Sequence, residues 1–542
     1  MGQTELNMKI FCHYSHKDLE EQIRRKLRVK NLRYRILKKS LDSRRKDNIH
    51  WQIRVLVDSP EINETQQTAG SQPGSLEIPN ISGSPRILIA GSGPAGIFPA
   101  LFLQKAGFRV TLIERGRRVD DRSRDIEKLE KEAVFTENSN YSFGEGGAGT
   151  FSDGKLTSRS KHIKKERRYI LEEFVRHGAP EEILYLAHPH IGSDRLVPVA
   201  RSMRRELEDL GGEILFDTML KDLDIKDGRV RAVHTESTAN KPSASSGNSG
   251  GFTSSGGSAS SGGSSSIEAD YFLLATGHSA LDTFRMLINR GVPYVSKNFA
   301  LGFRMEHSQE RINRIQWGCP SLEGVKAAEY RLTSGRAELP VYSFCMCPGG
   351  KVVPAAAFKD SNIVNGMSYY NRDGAFANAA LVAGVPPRLI NETEPAPLES
   401  LDWLESLEQA FYRETDHYKA PAMTIKDFLQ NRRSDTVLPS SYEPGLVPSD
   451  LGRLLPAPVT KALRLGLEDI CRRMPGWDEG QLIGLESKTS SPVQVLRDKD
   501  SGLTRGFENL FICGEASGWS GGIVSSASDG LKCALNICQS LL

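Results

Sequence analysis

Two cysteines one residue apart, Cys345 and Cys347, and a lysine closing a glycine-dense run, Lys155, are the side chains best suited to chemistry in this chain. On an extended segment residues two apart face the same way, so both thiols would stand on one face. Three roles are then open: a redox couple, the lining of a substrate pocket, or inert packing. A bridge between such near neighbours would be strained, and Pro348-Gly349-Gly350 favours a turn close to a ligand. His188 and His190 share the spacing, but no nearby cysteine or carboxylate cluster completes a metal site, so they read as packing histidines. The eight cysteines are scattered without a C-x-x-C pair, from which reduced thiols and no metal are expected.

The elements that must position such groups begin with Arg86-Ile-Leu-Ile-Ala followed by Gly91-Ser92-Gly93-Pro94-Ala95-Gly96, a helical run, and Arg109-Val-Thr-Leu-Ile-Glu114-Arg115. A buried strand, a G-x-G-x-x-G turn, a helix and a second strand ending in a carboxylate form a dinucleotide-binding βαβ unit. Gly91 permits the tight exit from the strand, Gly93 lets the backbone approach a pyrophosphate, and Gly96 lets the helix lie on the sheet. The helix N-terminus offers N–H groups to phosphate, and Glu114 is placed to accept ribose hydroxyls, with Arg115 beside it. Pro99 falls inside that helix and should kink it.

Three further segments favour FAD over NAD. Tyr271-Phe-Leu-Leu-Ala runs into Thr276-Gly277, a small turn of the kind that returns a strand beside a nucleotide. Leu510-Phe-Ile-Cys-Gly514-Glu515 is followed by a glycine loop and a helix, so Glu515 can accept ribityl hydroxyls. Beyond Gly521 in that loop, free N–H groups at Gly522, Ile523 and Val524 would then face the charge that develops on a reduced ring. The run Phe143–Leu156 carries so many glycines, Gly146 and Gly147 followed by Thr150 among them, that its entropic cost implies backbone lying against something flat or anionic. Lys155 could then stand beside the pyrimidine end of a flavin, or be solvated.

At 542 residues the chain is too long for one core. Residues 1–58 read as a small α+β unit: a strand near Met8–Tyr14, a helix from Lys17 to Val29, and strands around Leu32–Leu37 and Ile49–Val57. A Pro/Gly/Ser/Gln linker spans 59–83. The dinucleotide domain follows over 84–292, with strands at Arg229–Thr235 and Ile267–Ala275 flanking a Ser/Gly tip, 241–266, expected to be a disordered expanded hairpin. An inserted domain covers 293–484, and 485–542 complete the first. Between Lys17 and Arg54 there are 14 Lys/Arg against 5 Asp/Glu, which leaves the remainder net acidic against a total of +3. Interleaved with Leu, Ile and Val, these cations read as a solvated face, and nucleic acid is an unfavoured partner. No apolar run is long enough to cross a bilayer, and no signal-peptide core opens the chain, so a cytoplasmic location is expected, with a plastid one open if the N-terminus is incomplete.

The G-S-G-P-A-G turn, Gly144–Leu156, Pro189–Leu196, Phe344–Gly350, Asn365–Ser368 and Gly521–Ser525 together resemble the FAD-dependent dehydrogenases labelled NAD(FAD)-utilising, found in bacteria and plastids. The resemblance spans nearly the whole chain. It implies an FAD domain of the glutathione-reductase superfamily, assembled from separate segments, with a family-specific domain inserted before the last strand and helix. It supplies no substrate. The expected fold is therefore α/β: a discontinuous Rossmann-like FAD domain, an inserted α+β cap and a small N-terminal α+β domain. The expected function is redox transfer through FAD, with NAD(P)H or a reduced organic compound as donor to an unidentified small molecule. Two alternatives stay open, a non-catalytic FAD-binding scaffold and a flavin-dependent RNA-modifying protein, both using the basic N-terminal unit. Oligomeric state is left open.

Overall fold

The computed structural model describes residues 2–62, 74, 76–158, 160, 162–239, 265–415 and 417–542. Residues 63–73 and 75 of the expected linker, and 241–264 of the Ser/Gly tip, lie outside the described residues.

The N-terminal unit is an antiparallel sheet in the order Gly2–Ile10, His50–Ser59, Arg33–Asp42, covered by the helix His16–Leu27. Ser15 and Asp18 form a capping box that starts the helix, and Leu19 and Ile23 bury against Met8, Ile53, Val55 and Val57. The first strand lies upstream of the expected Met8–Tyr14. Its partner fixes Gly2 opposite Ser59 and Ile10 opposite Trp51, and the chain then turns so that the Cys12 carbonyl accepts from the Trp51 indole N–H at 3.2 Å. The unit docks on the next one through main chain: the Lys39 N–H donates to Tyr185 O at 2.8 Å and the Ala187 N–H to Lys39 O at 2.9 Å.

A five-stranded parallel sheet follows, ordered Leu510–Ile512, Tyr271–Leu274, Arg86–Ala90, Arg109–Ile113, Glu213–Leu215. These strands are apolar because both faces are covered. The expected strand Ile267–Ala275 is two elements. Ser265–Glu268, which includes the last two residues of the expected tip, pairs with Arg229–Ser237 in a three-stranded antiparallel sheet, and Tyr271–Leu274 enters the parallel one. The break falls at Asp270, whose carboxylate accepts the Arg86 N–H at 2.7 Å while its carbonyl accepts from the Asn509 amide at 2.9 Å.

Helix Pro94–Lys105 runs through Pro99 as one element. The carbonyl that Pro99 leaves without its helical donor, Ala95 O, lies 3.5 Å from the Cys513 thiol, which donates to it. Pro99 also sits where this helix crosses Ile523–Gln539. There a Cβ on Gly530 would meet the Ala95 carbonyl and, at 3.1 Å, Pro99 Cγ.

Between the parallel sheet's segments lies an eight-stranded sheet whose central strands are Val341–Pro354, Phe376–Val385, Phe299–Ser308 and Gln481–Glu486, the last running across residue 484. Helices Pro397–Glu414 and Ala457–Arg473 cover it, packing Leu404, Phe411, Leu463 and Leu467 on an alanine-rich strand face that lets them approach closely. Tyr294–Ser296 pairs antiparallel with Val493–Val495, so the chain enters and leaves this sheet at one place.

Candidate functional site

The carboxyl ends of the parallel strands and one face of the eight-stranded sheet enclose a cavity of about 1160 Å³. Clefts at that end of an open α/β sheet are where such folds bind ligands.

Its wall on the side of the parallel sheet is built from backbone. Gly91, at φ +104°, and Gly96 have no room for a side chain, since a Cβ would meet the Ala275 carbonyl from one and the Gly91 carbonyl from the other. Gly93, Pro94 and Ala95 line the cavity, whereas Ser92 and Gly96 lie behind it. Glu114 also reaches it, but its carboxylate is already in use. One oxygen accepts the Ser92 N–H and hydroxyl at 2.9 and 2.7 Å, and the other accepts the Gly116 and Gly144 N–H groups at 2.9 and 3.1 Å. The spacing of the residues did not announce these contacts: a buried carboxylate has to be satisfied, and three loops converge on this one. Arg115 lines the cavity with its fork on Asp282, at 3.0 and 2.9 Å, and its plane 4.1 Å from the Phe143 ring centroid.

The glycine-dense run is organised by a residue that sequence reasoning missed. Arg122, fully buried, donates to the carbonyls of Asn140, Tyr141, Gly144, Glu145 and Gly147, with burial pulling its guanidinium down to about 10. A Cβ on Gly144 would collide with the Arg122 side chain, and one on Gly146 with Thr150. Part of the glycine content thus serves internal packing. Gly147 lines the cavity, but Gly146 and Thr150 do not.

Beside the Gly91–Ala95 turn Thr276, Gly277, Glu515, Gly521, Gly522 and Ile523 line the cavity, and Gly514 lies behind. Glu515 accepts the Gly522 N–H at 2.9 Å and pairs with His278 Nδ1 at 2.8 Å, so that N–H is not free as expected, while the carboxylate keeps its place on the cavity wall. Burial pushes the Glu515 carboxyl up, but His278 and the Gly522 N–H together hold it below its ordinary value. The helix Ile523–Gln539 has no side-chain cap, which leaves the positive end of its dipole facing the cavity. His278 Nε2, Tyr330 Oη, Thr489 Oγ1 and Ser528 Oγ are buried on residues of the cavity wall and have no hydrogen-bond partner among the described residues. Orphaned polar atoms around so large a space fit a polar ligand with hydroxyl and ring heteroatoms.

The wall supplied by the eight-stranded sheet is built from side chains. Lys155 pairs with Asp153 at 2.8 Å and donates to the Met346 carbonyl; it is anchored, not solvated. Burial lowers the ammonium's pKa, but the Asp153 carboxylate and the Cys347 and Cys345 sulfurs together outweigh it and the net displacement is upward. Asp153 also takes Arg372 Nε and Nη2 at 3.1 and 2.7 Å and the Ser368 hydroxyl. Arg372 continues to Glu329 at 3.4 Å, and Glu329 to His188. His190 is buried, with Nε2 3.0 Å from the Tyr370 carbonyl, and burial pushes its imidazole down to about 4. Cys345 lines the cavity, and Cys347 is buried behind it. Away from the cavity, Glu173, His177 and Glu206 come together, with Lys105 and Arg176 among them in ion pairs.

Residues 298–489, the eight-stranded sheet and its helices, match the family described as FAD-dependent protein, C-terminal domain-like. A protein of Clostridium beijerinckii described as uncharacterized is 35% identical over 556 aligned residues, covering 96% of each chain. The chain belongs to this FAD-dependent protein family. Among solved structures, a flavin-dependent brominase is 14% identical with a TM-score of 0.37, over 84% of this chain and 79% of its own. A geranylgeranyl bacteriochlorophyll reductase-like protein of Thermoplasma acidophilum is 12% identical, also with a TM-score of 0.37, over 84% and 78%. Likenesses that remote carry no functional information. For this FAD-dependent protein the family assignment and the cavity agree in one respect: the matched region supplies Glu329, Cys345, Arg372 and Glu486 of the side-chain wall, which Lys155 and His188 complete from outside it. Among the described residues no helix is long and apolar enough to cross a membrane.

Proposed function

We propose that this chain is an FAD-dependent oxidoreductase that passes a hydride or an electron pair between NAD(P)H or a reduced partner and a small molecule held against the inserted sheet. The observation that carries the reading is the convergence of the Gly91–Ala95 turn, Gly147, Thr276-Gly277 and the uncapped helix at Gly522 on one cavity whose remaining wall is polar and ionic. Gly93, Pro94 and Ala95 would hold the pyrophosphate, Arg115 and Phe143 would border the adenine end, and the helix N-terminus would face the ring. When bound, FAD supplies two-electron chemistry that no side chain offers.

The chain's own residues then have definite work. The Asp153, Lys155 and Arg372 cluster keeps fixed cations at the substrate wall, suited to orienting an anionic or carbonyl-bearing compound. Glu515 and His278 brace the loop before the helix. The inserted sheet closes the far side and excludes water.

The test is direct. Purified protein is expected to be yellow, to release FAD on denaturation, and to bleach anaerobically with NADH or NADPH. A colourless protein that cannot be reconstituted with FAD would end the reading. Bleaching by neither nicotinamide would remove that donor and leave the reduced organic partner.

A further inference from the structure

The strand Val341–Pro354 loses register with Phe376–Val385 between Phe344 and Cys347, and Cys345 stands there at φ +44°. A left-handed residue in a strand is held by its surroundings. Here Arg304, fully buried, donates from Nη2 to the Cys345 carbonyl at 2.7 Å and to Cys347 Sγ at 3.2 Å, and Lys155 holds the carbonyl of the residue between them. The same kink separates the thiols that a regular strand would have left equivalent. Cys345 opens on the cavity, whereas Cys347 is closed off behind it with its S–H directed at the Cys345 carbonyl, 3.4 Å away. The two sulfurs nevertheless stay within side-chain contact of each other, the reach that a bridge needs.

We propose that Cys345 is an attacking thiolate and Cys347 its resolving thiol, making this wall a thiol–disulfide exchange centre for a disulfide-bearing small molecule. The asymmetry suits the two roles. Contact with the Cys347 sulfur, with Lys155 and Arg304 beside it, outweighs burial and holds the Cys345 thiol below its ordinary value, while burial pushes Cys347 well up. Facing the pair are Arg304 from Phe299–Ser308, Glu486 from Gln481–Glu486, the 153–155 loop with Asp153 and Lys155, and Arg372.

The chemistry balances. The Cys345 thiolate attacks one sulfur of R–S–S–R′, forming a Cys345–S–S–R bond as R′–S⁻ leaves and takes the proton of Cys347. The Cys347 sulfur then attacks Cys345 Sγ, displacing R–S⁻ and closing the Cys345–Cys347 bond. Two cysteines are oxidised and one disulfide is reduced to two thiols. Return to the dithiol takes two electrons and two protons from the flavin of the proposed function, and only this last step rests on that reading.

The experiment uses the full chain as purified, bis(2-hydroxyethyl) disulfide as probe and peptide mass mapping as readout, so its result is independent of colour or turnover. Wild type is expected to lose two hydrogens and yield a Cys345–Cys347 bridge. Cys347→Ser, matched to wild type by circular dichroism, is expected to trap a stable hydroxyethylthio adduct on Cys345. Cys345→Ser should leave Cys347 at least about tenfold slower to react than wild-type Cys345. Iodoacetamide labelling of Cys345 should reach half its maximum at a pH below the ordinary thiol value. A persistent adduct on Cys345 of the wild type would overturn the resolving role. Labelling of other cysteines with Cys345 untouched, or a labelling midpoint at the ordinary thiol value near about 8.5, would overturn the attacking one. Should Cys347→Ser not fold, the wild-type bridge alone decides.

Discussion

The two walls of the cavity are made by opposite means. On the side of the parallel sheet, glycines bring main chain to the surface and the few charged groups, Glu114 and Arg122, are spent internally on holding loops together. On the side of the inserted sheet, ionised side chains from six separate stretches meet in chains of contact: His188, Glu329, Arg372, Asp153 and Lys155 in one, Arg304 and Glu486 in another. A backbone wall suits a constant ligand whose phosphates need only N–H groups, and it is insensitive to pH. A side-chain wall can be retuned by single substitutions, and it must keep its charges neutralised.

Four measurements would sharpen or break that contrast. The largest effect is expected at Arg304→Met, which strands the buried Glu486 carboxylate and should cost about 3–5 kcal/mol in urea unfolding. The double variant with Glu486→Gln should recover much of that loss. Next is acid. Burial pushes His307, like His190, down to about 4, so the unfolded chain takes up protons below about 6.5 while the folded one does not. Stability is complete above pH 6.5 and is lost as pH falls toward 4, by up to about 3 kcal/mol per ring. Amide exchange in Phe299–Ser308 should therefore accelerate more at pH 5 than exchange in Arg86–Ala90, and His307→Gln should flatten the dependence. Equal acceleration in both strands would erase the distinction.

On the backbone wall, Gly147→Ala places a Cβ 2.9 Å from Gly93 Cα at φ +64° and should cost about 1–3 kcal/mol with loss of bound FAD. Gly277→Ala, with nothing within 4 Å, should cost only the left-handed strain, about 1 kcal/mol. The smallest effect on stability is expected from Lys155→Met, because Asp153 keeps Arg372; the readout there is the iodoacetamide profile of Cys345, which should move to higher pH.

The same contrast explains what could be read from the residues in order. The Gly91–Gly96 turn, its strands and the late Gly514–Ile523 segment were legible because each is a local pattern whose geometry follows from its own neighbours. Arg122 was not: it binds five carbonyls up to 25 residues further on, and nothing in its own helix announces this. The ion chains of the other wall unite residues more than 200 apart, as Asp153 and Arg372 are. Pairing at that distance leaves no local signal. Glu114 and Glu515 were found, but not that N–H groups of the neighbouring glycines take up part of each carboxylate. Pro99 was expected to bend its helix, and the thiol of Cys513, more than 400 positions away, supplies the donor it lacks.

The outermost parallel strand, Leu510–Ile512, and the helix Ile523–Gln539 that crosses Pro94–Lys105 lie more than 400 residues after the glycine turn they complete. A chain cut at about residue 500 would carry that turn without the helix that faces it. A stop introduced ahead of Leu510 should then abolish the whole site instead of trimming it.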